Sequence, residues 1–323
     1  MLRSIRLRVF ICCLLLTVAC LIFWYMYRQS TLFILHSPSN LYNDSQRASK
    51  PKREYSIPLD FIPIDSKAKK VLADSFQPFY VVKDTLTDCS FTSAFMLLYQ
   101  RDPDFPYRIL KTGDANDYSL FLPGINHSAQ VSGEELKQYY DAINKKRTGL
   151  QKVIKGYSPR GFDIMRCAYY KYQRKAHMRK EQKLVYGGGW PDRDLMILSG
   201  VKTGTRIEQN SEGYFSLQVR IELQKGIFNE RIIPNPTILT NPLASCNSLD
   251  DYLVIAATNR KGNGLLGNRL VPNHAYYLIE RLDNNEYLFG NPYQTRRPVI
   301  ITEKELVNRF CTIYLIPKAL GSS

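Results

Sequence analysis

Helix-period apolar patterns crowd the first half of this 323-residue chain, and alternating segments rich in β-branched and aromatic residues crowd the second. That segregation predicts an α+β fold with separate helical and antiparallel β layers, since a doubly wound sheet would interleave strand and helix along the sequence. A hydrophobic content of 44% supplies a sizeable core, enough for one large domain or two close subdomains. No repeat, glycine-rich phosphate loop or nucleic-acid-binding motif is present; the glycines of Asn259–Asn268 lack the spacing of a phosphate cradle.

The helical half is expected to contain helices at Cys89–Gln100, Gly133–Lys146, Asp163–Lys183 and Arg193–Leu198. The third carries Lys171, Arg174, Lys175, Arg179, Lys180 and Lys183, a solvated basic face or a face for docking on membrane or substrate. Strands are expected at Tyr214–Leu223, Tyr252–Thr258, Ala275–Leu282, Tyr287–Phe289 and Thr312–Ile316, with a helix at Glu303–Phe310 before the last.

Ahead of this body the chain carries nineteen uncharged residues between Arg8 and Arg28, enough to cross a hydrocarbon core of about 30 Å as a helix. Arg3, Arg6 and Arg8 precede them, so the positive-inside rule leaves the N-terminus in the cytoplasm and the bulk of the chain beyond the membrane. Trp24, Tyr25 and Tyr27 sit at the far end as an interfacial belt would. The rival is a cleaved signal, because Leu16–Cys20 resembles a lipoprotein cleavage site; the product would then be secreted or lipid-anchored. Residues 1–29 are therefore assigned to an anchor or signal segment, 30–56 to a polar, basic linker, and 57–323 to the globular body, helical over about 57–200 and β-rich over about 201–323. The arginines up to Arg28 supply four of the net charge of +15, and the remaining +11 suits contact with anionic membrane or acidic ligands.

Seven cysteines occur, three in the apolar segment and Cys89, Cys167, Cys246 and Cys311 at wide spacing, with no Cys-x-x-Cys pair. Neither a disulfide framework nor a zinc site is expected, and each thiol stands alone. Cys89 is distinctive because it falls on the first turn of an apolar helix, LTDCSFTSAFMLLY. Free cysteine often packs as a small hydrophobe, but a helix N-terminus also favours the nucleophilic thiolate.

A thiolate needs a base, and the chain has four histidines. His36 lies in the linker, His127 in a loop expected after Leu122-Pro-Gly and His177 on the basic helix, each with the character of a surface residue. His274 opens an apolar strand, and seventeen residues on, across an expected hairpin about Asp283–Asn285, comes Asn291. An asparagine oxygen accepting the imidazole N–H would fix the ring's tautomer and orientation. Cysteine on a helix, then histidine and asparagine on successive strands, is the order used by papain-like cysteine proteases.

Four segments make the body resemble the calpain-family protease core, over about residues 75–316. Asp88-Cys89-Ser-Phe-Thr-Ser-Ala94 stands where that family has Asp-Cys-Trp-Leu. Arg166–Lys171, Tyr186–Gly189 and Leu198–Gly200 are similar to its Lys-Ala-Tyr-Ala-Lys helix, Gly-Gly turn and Leu-Thr-Gly segment. Asn273-His274-Ala-Tyr-Tyr277 resembles Gly-His-Ala-Tyr, and Gly290-Asn291-Pro-Tyr293 resembles Arg-Asn-Pro-Trp. The resemblance implies a papain-like fold and a cysteine-type endopeptidase acting on polypeptides, with Cys89 as nucleophile, His274 as general base and acid, and Asn291 as orienting group. It further implies a substrate cleft near Gly187, Gly188 and Gly189, and near Gly262 and Gly264, where calpains carry a gating loop.

The departures from the family bear on mechanism. Calpains place a glutamine six residues before the cysteine as an oxyanion donor; this chain has Lys83 there, with Gln77 as a substitute if the register slips. Tyr293 replaces the tryptophan that shields the histidine–asparagine pair, and the calcium-ligand positions register on Tyr80 and Pro159, so no metal site is assigned and calcium dependence is left open. The competing readings are a catalytically inactive calpain-like binding protein, motivated by Lys83, and a transglutaminase-like acyltransferase with Asp283 as the orienter. None of these readings involves nucleic acid as a partner.

Overall fold

The structure is a computed structural model that describes residues 59, 62–73, 76, 89–114, 117–146, 161–176, 190–233, 238–243, 249–258, 270–271, 273–282, 285–292 and 298–318. All belong to the second of the two units into which the chain divides, residues 54–323, and the anchor and linker assignments lie outside them. No helix among the described residues is long and apolar enough to cross a membrane.

The elements run α1 (Ser66–Val71), α2 (Cys89–Arg101), α3 (Phe105–Ile109), β1 (Leu110–Thr112), β2 (Tyr118–Leu122), β3 (His127–Val131), α4 (Gly133–Lys146), α5 (Gly161–Ala176) and α6 (Pro191–Ser199). Strands then dominate: β4 (Thr203–Gln209), β5 (Phe215–Gln224), β6 (Ile227–Ile233), β7 (Tyr252–Thr258), β8 (Ala275–Arg281), β9 (Glu286–Gly290) and β10 (Val299–Thr302), closed by α7 (Glu303–Arg309) and β11 (Phe310–Pro317). This is an α+β protein with antiparallel sheets. The expected helices and strands form, with ends shifted by a residue or two where both ends are described.

Two parts of the expectation need correction. The helical half contains a three-stranded antiparallel sheet, β1-β2-β3, and His127 begins its last strand instead of lying in a loop, although it remains exposed. The alternation is real: Tyr118, Leu120 and Leu122 of β2 turn inward against α5, but strands this short give a weak signal. In the β half, β4, β6 and β10 escape the sequence pattern. On β4 an inward position belongs to Arg206, only 5% exposed and paired with Glu208 at 2.7 Å and Glu230 at 2.8 Å, so charge interrupts the apolar alternation. β6 is an edge strand exposed along most of its length and shows no apolar face.

The large sheet has eight strands in the order β10-β9-β8-β7-β11-β4-β5-β6. The last strand of the chain sits mid-sheet, with β7 on one side and β4 on the other, both antiparallel to it. Both faces are covered. Ala275 and Tyr277 of β8, with Leu253 and Ile255 of β7, join a core shared with α2, α5 and α6; Tyr276 and Leu278, with Val254 and Ala256, join a second core that includes Leu306 of α7. Strands buried on both faces read as apolar runs, which is why β7 and β8 stand out in the sequence.

Helix α2 packs against β7 and β8 of the large sheet and against α6, which itself packs on β11 and β4 of the same sheet. Every residue from Ser90 to Leu98 is buried, so the apolar positions Phe91, Ala94, Phe95, Leu97 and Leu98 mark a central helix and not the inner face of a surface one. Phe91 stacks on Tyr169 of α5 at 4.6 Å, and Phe95 meets Phe162 edge-on at 4.9 Å. Helix α6 begins with Pro191, whose missing N–H costs nothing there, and ends at Gly200, whose φ of +79° suits a residue without a β-carbon.

A polar group is sealed between these helices. Asp194 of α6, 3% exposed, accepts hydrogen bonds from the Tyr169 hydroxyl at 2.5 Å and from the Ser90 side chain. Burial pushes its carboxyl up to about 6 from 3.8, against the opposing pull of those two hydrogen bonds. The folded protein therefore binds a proton here that the unfolded chain has released. This contribution to stability is fully present below about pH 4 and is lost as pH rises through 6. Asp194→Asn is expected to remove that pH-dependent component, on the order of 2 kcal/mol, in unfolding midpoints compared between pH 4.5 and 7.5; identical pH slopes in the two proteins would refute it.

Candidate active site

Cys89 is the first residue of α2, half-buried, on a turn whose N–H groups have no partners within the helix. One turn on, about 6 Å along the axis and on the same face, Ser93 donates its hydroxyl to the carbonyl of Ala275 at 3.0 Å. Ala275 is the neighbour of His274. This bond joins positions 182 residues apart and holds α2, one turn after the thiol, to the residue that follows the imidazole.

His274 immediately precedes β8 and is 1% exposed. Thr258, at the end of β7, clamps its backbone: the His274 N–H donates to Thr258 Oγ1 at 3.0 Å, and the Thr258 N–H donates to the His274 carbonyl at 2.9 Å. The same hydroxyl donates to the Val271 carbonyl at 2.6 Å, tying the approaching segment to the strand. Asn273 takes a φ of +50°, a left-handed conformation that asparagine tolerates, and so turns the chain into β8. The Tyr276 ring meets the imidazole edge-on at 4.9 Å, while its hydroxyl accepts from the Val271 N–H at 2.7 Å.

Asn291 follows β9 directly and is 7% exposed. Its Oδ1 lies 3.1 Å from His274 Nε2. An amide oxygen can only accept, so Nε2 carries the hydrogen and the lone pair of the neutral ring is on Nδ1. The hairpin that brings the two together pairs Tyr277 with Gly290 and closes with the Leu282 N–H on the Glu286 carbonyl, with Asn285 at φ +58°. Gly290 is required here because the Tyr277 ring lies across its backbone, where a β-carbon would collide with it. Asn291 is thus held from both sides: by the imidazole, and by the packing that fixes the residue before it.

The other described thiols are in poor environments for ionisation. Burial pushes Cys167 up to about 12, with Glu135 adding to the effect, and burial likewise raises Cys311, whose thiol donates to the Ala257 carbonyl at 3.5 Å. The structure therefore brings His274 and Asn291 into contact and ties the Cys89 helix beside them. Lys83, Gln77, Gly187, Gly188, Gly189, Gly262, Gly264, Tyr80, Pro159, Asp283, Tyr293 and Cys246 lie outside the described residues. Among the described residues no group of acidic, histidine and cysteine side chains is arranged to hold a metal. Ser93, Thr258 and Tyr276 were not foreseen. Ser93 had one available signal, its i+4 spacing from Cys89, but its partner is on a distant strand that spacing cannot name.

Comparison with protein-family models, with curated proteins and with solved structures finds no match to this chain.

Ser93→Ala leaves the buried Ala275 carbonyl without its hydroxyl donor, and a loss of about 1–3 kcal/mol in denaturant unfolding is expected. Gly290→Ala forces the Tyr277 ring or the end of β9 to move, with an expected loss of about 1–3 kcal/mol from overpacking. Wild-type midpoints for either variant would contradict the geometry assigned to it.

Proposed function

We propose that this protein is a cysteine endopeptidase with a papain-like fold, akin to the calpain protease core, that hydrolyses polypeptides through Cys89, His274 and Asn291. The observation that carries the reading is the 3.1 Å contact between His274 Nε2 and Asn291 Oδ1, in a strand end that Ser93 ties to the Cys89 helix. It leaves Nδ1 as the ring atom that takes the Cys89 proton, giving a thiolate–imidazolium pair beside a helix N-terminus that favours the anion.

The thiolate adds to a peptide carbonyl, and the Cys89 backbone N–H donates to the resulting oxyanion, with Lys83 or Gln77 as the second donor. The C–N bond then breaks as the imidazolium delivers its proton to the leaving amine, and an acyl-enzyme remains. His274 next takes a proton from water, hydroxide attacks the thioester, and the acid product departs as the proton returns to sulfur. Asn291 keeps Nε2–H pointed away from the reacting atoms throughout. Its engagement of Nε2 favours this triad over a transglutaminase-like arrangement built on Asp283. We place the catalytic body beyond the membrane, tethered by residues 1–29.

Casein digestion by the full-length protein should vanish in Cys89→Ala, fall about 10²- to 10⁴-fold in His274→Ala, and fall less in Asn291→Ala. Iodoacetamide should label Cys89 at least about tenfold faster than Cys167 or Cys311, and only while His274 is present. Equal labelling of all the thiols sinks the reading. His274-dependent labelling without digestion would instead favour the inactive, binding relative suggested by Lys83.

A further inference from the structure

The Cys89 turn is held by residues to which the triad chemistry assigns nothing. Ser90 and Phe91 follow the nucleophile directly, and both are buried. Phe91 stacks on the Tyr169 ring, and the Tyr169 hydroxyl donates to Asp194, the same carboxyl to which the Ser90 hydroxyl donates. Gln173 Nε2 completes the set by donating to the Tyr169 oxygen at 2.9 Å. Two adjacent residues of one helical turn are thus fixed by two other helices, α5 and α6.

Such an arrangement is costly unless something requires it. A carboxyl is expensive to seal away from water, and leucine or valine at position 194 would serve packing alone at less cost. What the carboxyl does that an apolar residue cannot is accept two directed hydrogen bonds at once, and so fix both the rotation and the axial position of the turn that carries the thiol. Ser93 does the same from the sheet side one turn further on. Between them the two bonds tie the start of α2 to α6 and to β8.

We infer that Asp194, with Tyr169 and Ser90, is a positioning unit that sets the angle at which Cys89 faces His274. It rests on the protease reading given above and adds a requirement to it: the nucleophile's reactivity depends on a carboxyl that touches neither substrate nor the reacting atoms. The groups around Asp194 are Tyr169 and Gln173 of α5, Ser90 of α2, and Asp192 and Arg193 of α6 itself, with Arg206 of β4 paired to Asp192 at 3.5 Å. When the carboxyl takes up a proton it can no longer accept both hydroxyls equally well, so the grip should loosen as pH falls through about 6.

The test measures the iodoacetamide alkylation rate of Cys89 and of Cys311, residue by residue, by mass spectrometry on the full-length protein. Tyr169→Phe keeps the ring stack and Ser90→Ala is a one-atom deletion, so both should fold, and melting temperatures verify it. Each is expected to slow Cys89 about tenfold and leave Cys311 within about twofold of wild type. The double variant should be little slower than the slower single one, because the two hydroxyls act through one acceptor. The wild-type Cys89 rate should step down as pH falls past 6, and Asp194→Asn, which keeps an acceptor oxygen but cannot titrate, should lose that step. Wild-type Cys89 rates in both single variants, or an unchanged pH profile in Asp194→Asn, overturn the positioning unit alone. If His274→Ala leaves Cys89 as reactive as in wild type, the protease reading falls and takes this inference with it.

Discussion

The structure turns on the complete burial of one helix. From Ser90 to Leu98 every residue of α2 is enclosed, and the Ser90 and Ser93 hydroxyls turn to acceptors within the protein, while Thr92 Oγ1 is buried with no hydrogen-bond partner among the described residues. Apolar packing tolerates small slips of a helix along its axis; directed hydrogen bonds do not. Ser93 on the Ala275 carbonyl and Ser90 on the Asp194 carboxyl, three positions apart along the helix, therefore tie its start to β8 and to α6. The thiol owes its place to its neighbours' polar groups more than to any contact of its own.

The strand ends that face this helix are built with the same redundancy. Thr258 exchanges hydrogen bonds with both backbone groups of His274 and also holds Val271, while the Tyr276 hydroxyl accepts from the Val271 N–H and its ring packs against the imidazole. On the next strand the absence of a side chain at Gly290 admits the Tyr277 ring, and that close approach delivers Asn291 to the imidazole edge. Supports of this kind are what the proposed acyl-transfer chemistry would require, since a displacement of about 1 Å can cost a hundredfold in rate.

How much of this was legible in the sequence depended on whether a residue's partner was local. The helices at Gly133–Lys146 and Pro191–Ser199, and the strands Tyr252–Thr258 and Ala275–Arg281, announce themselves because period, cap and apolar run are properties of adjacent residues. The strand holding Arg206 did not, because its inward charge makes sense only once Glu208 and Glu230 stand beside it. The small β1–β3 sheet was hidden by strands of three to five residues, too short for alternation to be distinguished from chance. For the site, Cys89, His274 and Asn291 were picked out by chemistry and chain order, whereas Ser93, Thr258 and the Asp194 group were not. Serine, threonine and a lone aspartate are common, and nothing beside them in the chain reveals what they touch.

By itself, then, the sequence determined the α+β class and the identity of the long elements and singled out the three residues proposed to carry acyl-transfer chemistry, because each of these follows from side-chain character and spacing along a single stretch. Only the tertiary structure decided that His274 presents Nε2 to Asn291 and that α2 is central and buried on all sides. It alone revealed that a carboxyl sealed between α5 and α6 reaches the turn beside the thiol. Those are relations between residues tens to hundreds of positions apart, and they arise only where the chain, in burying its apolar surface, brings polar groups distant in sequence together.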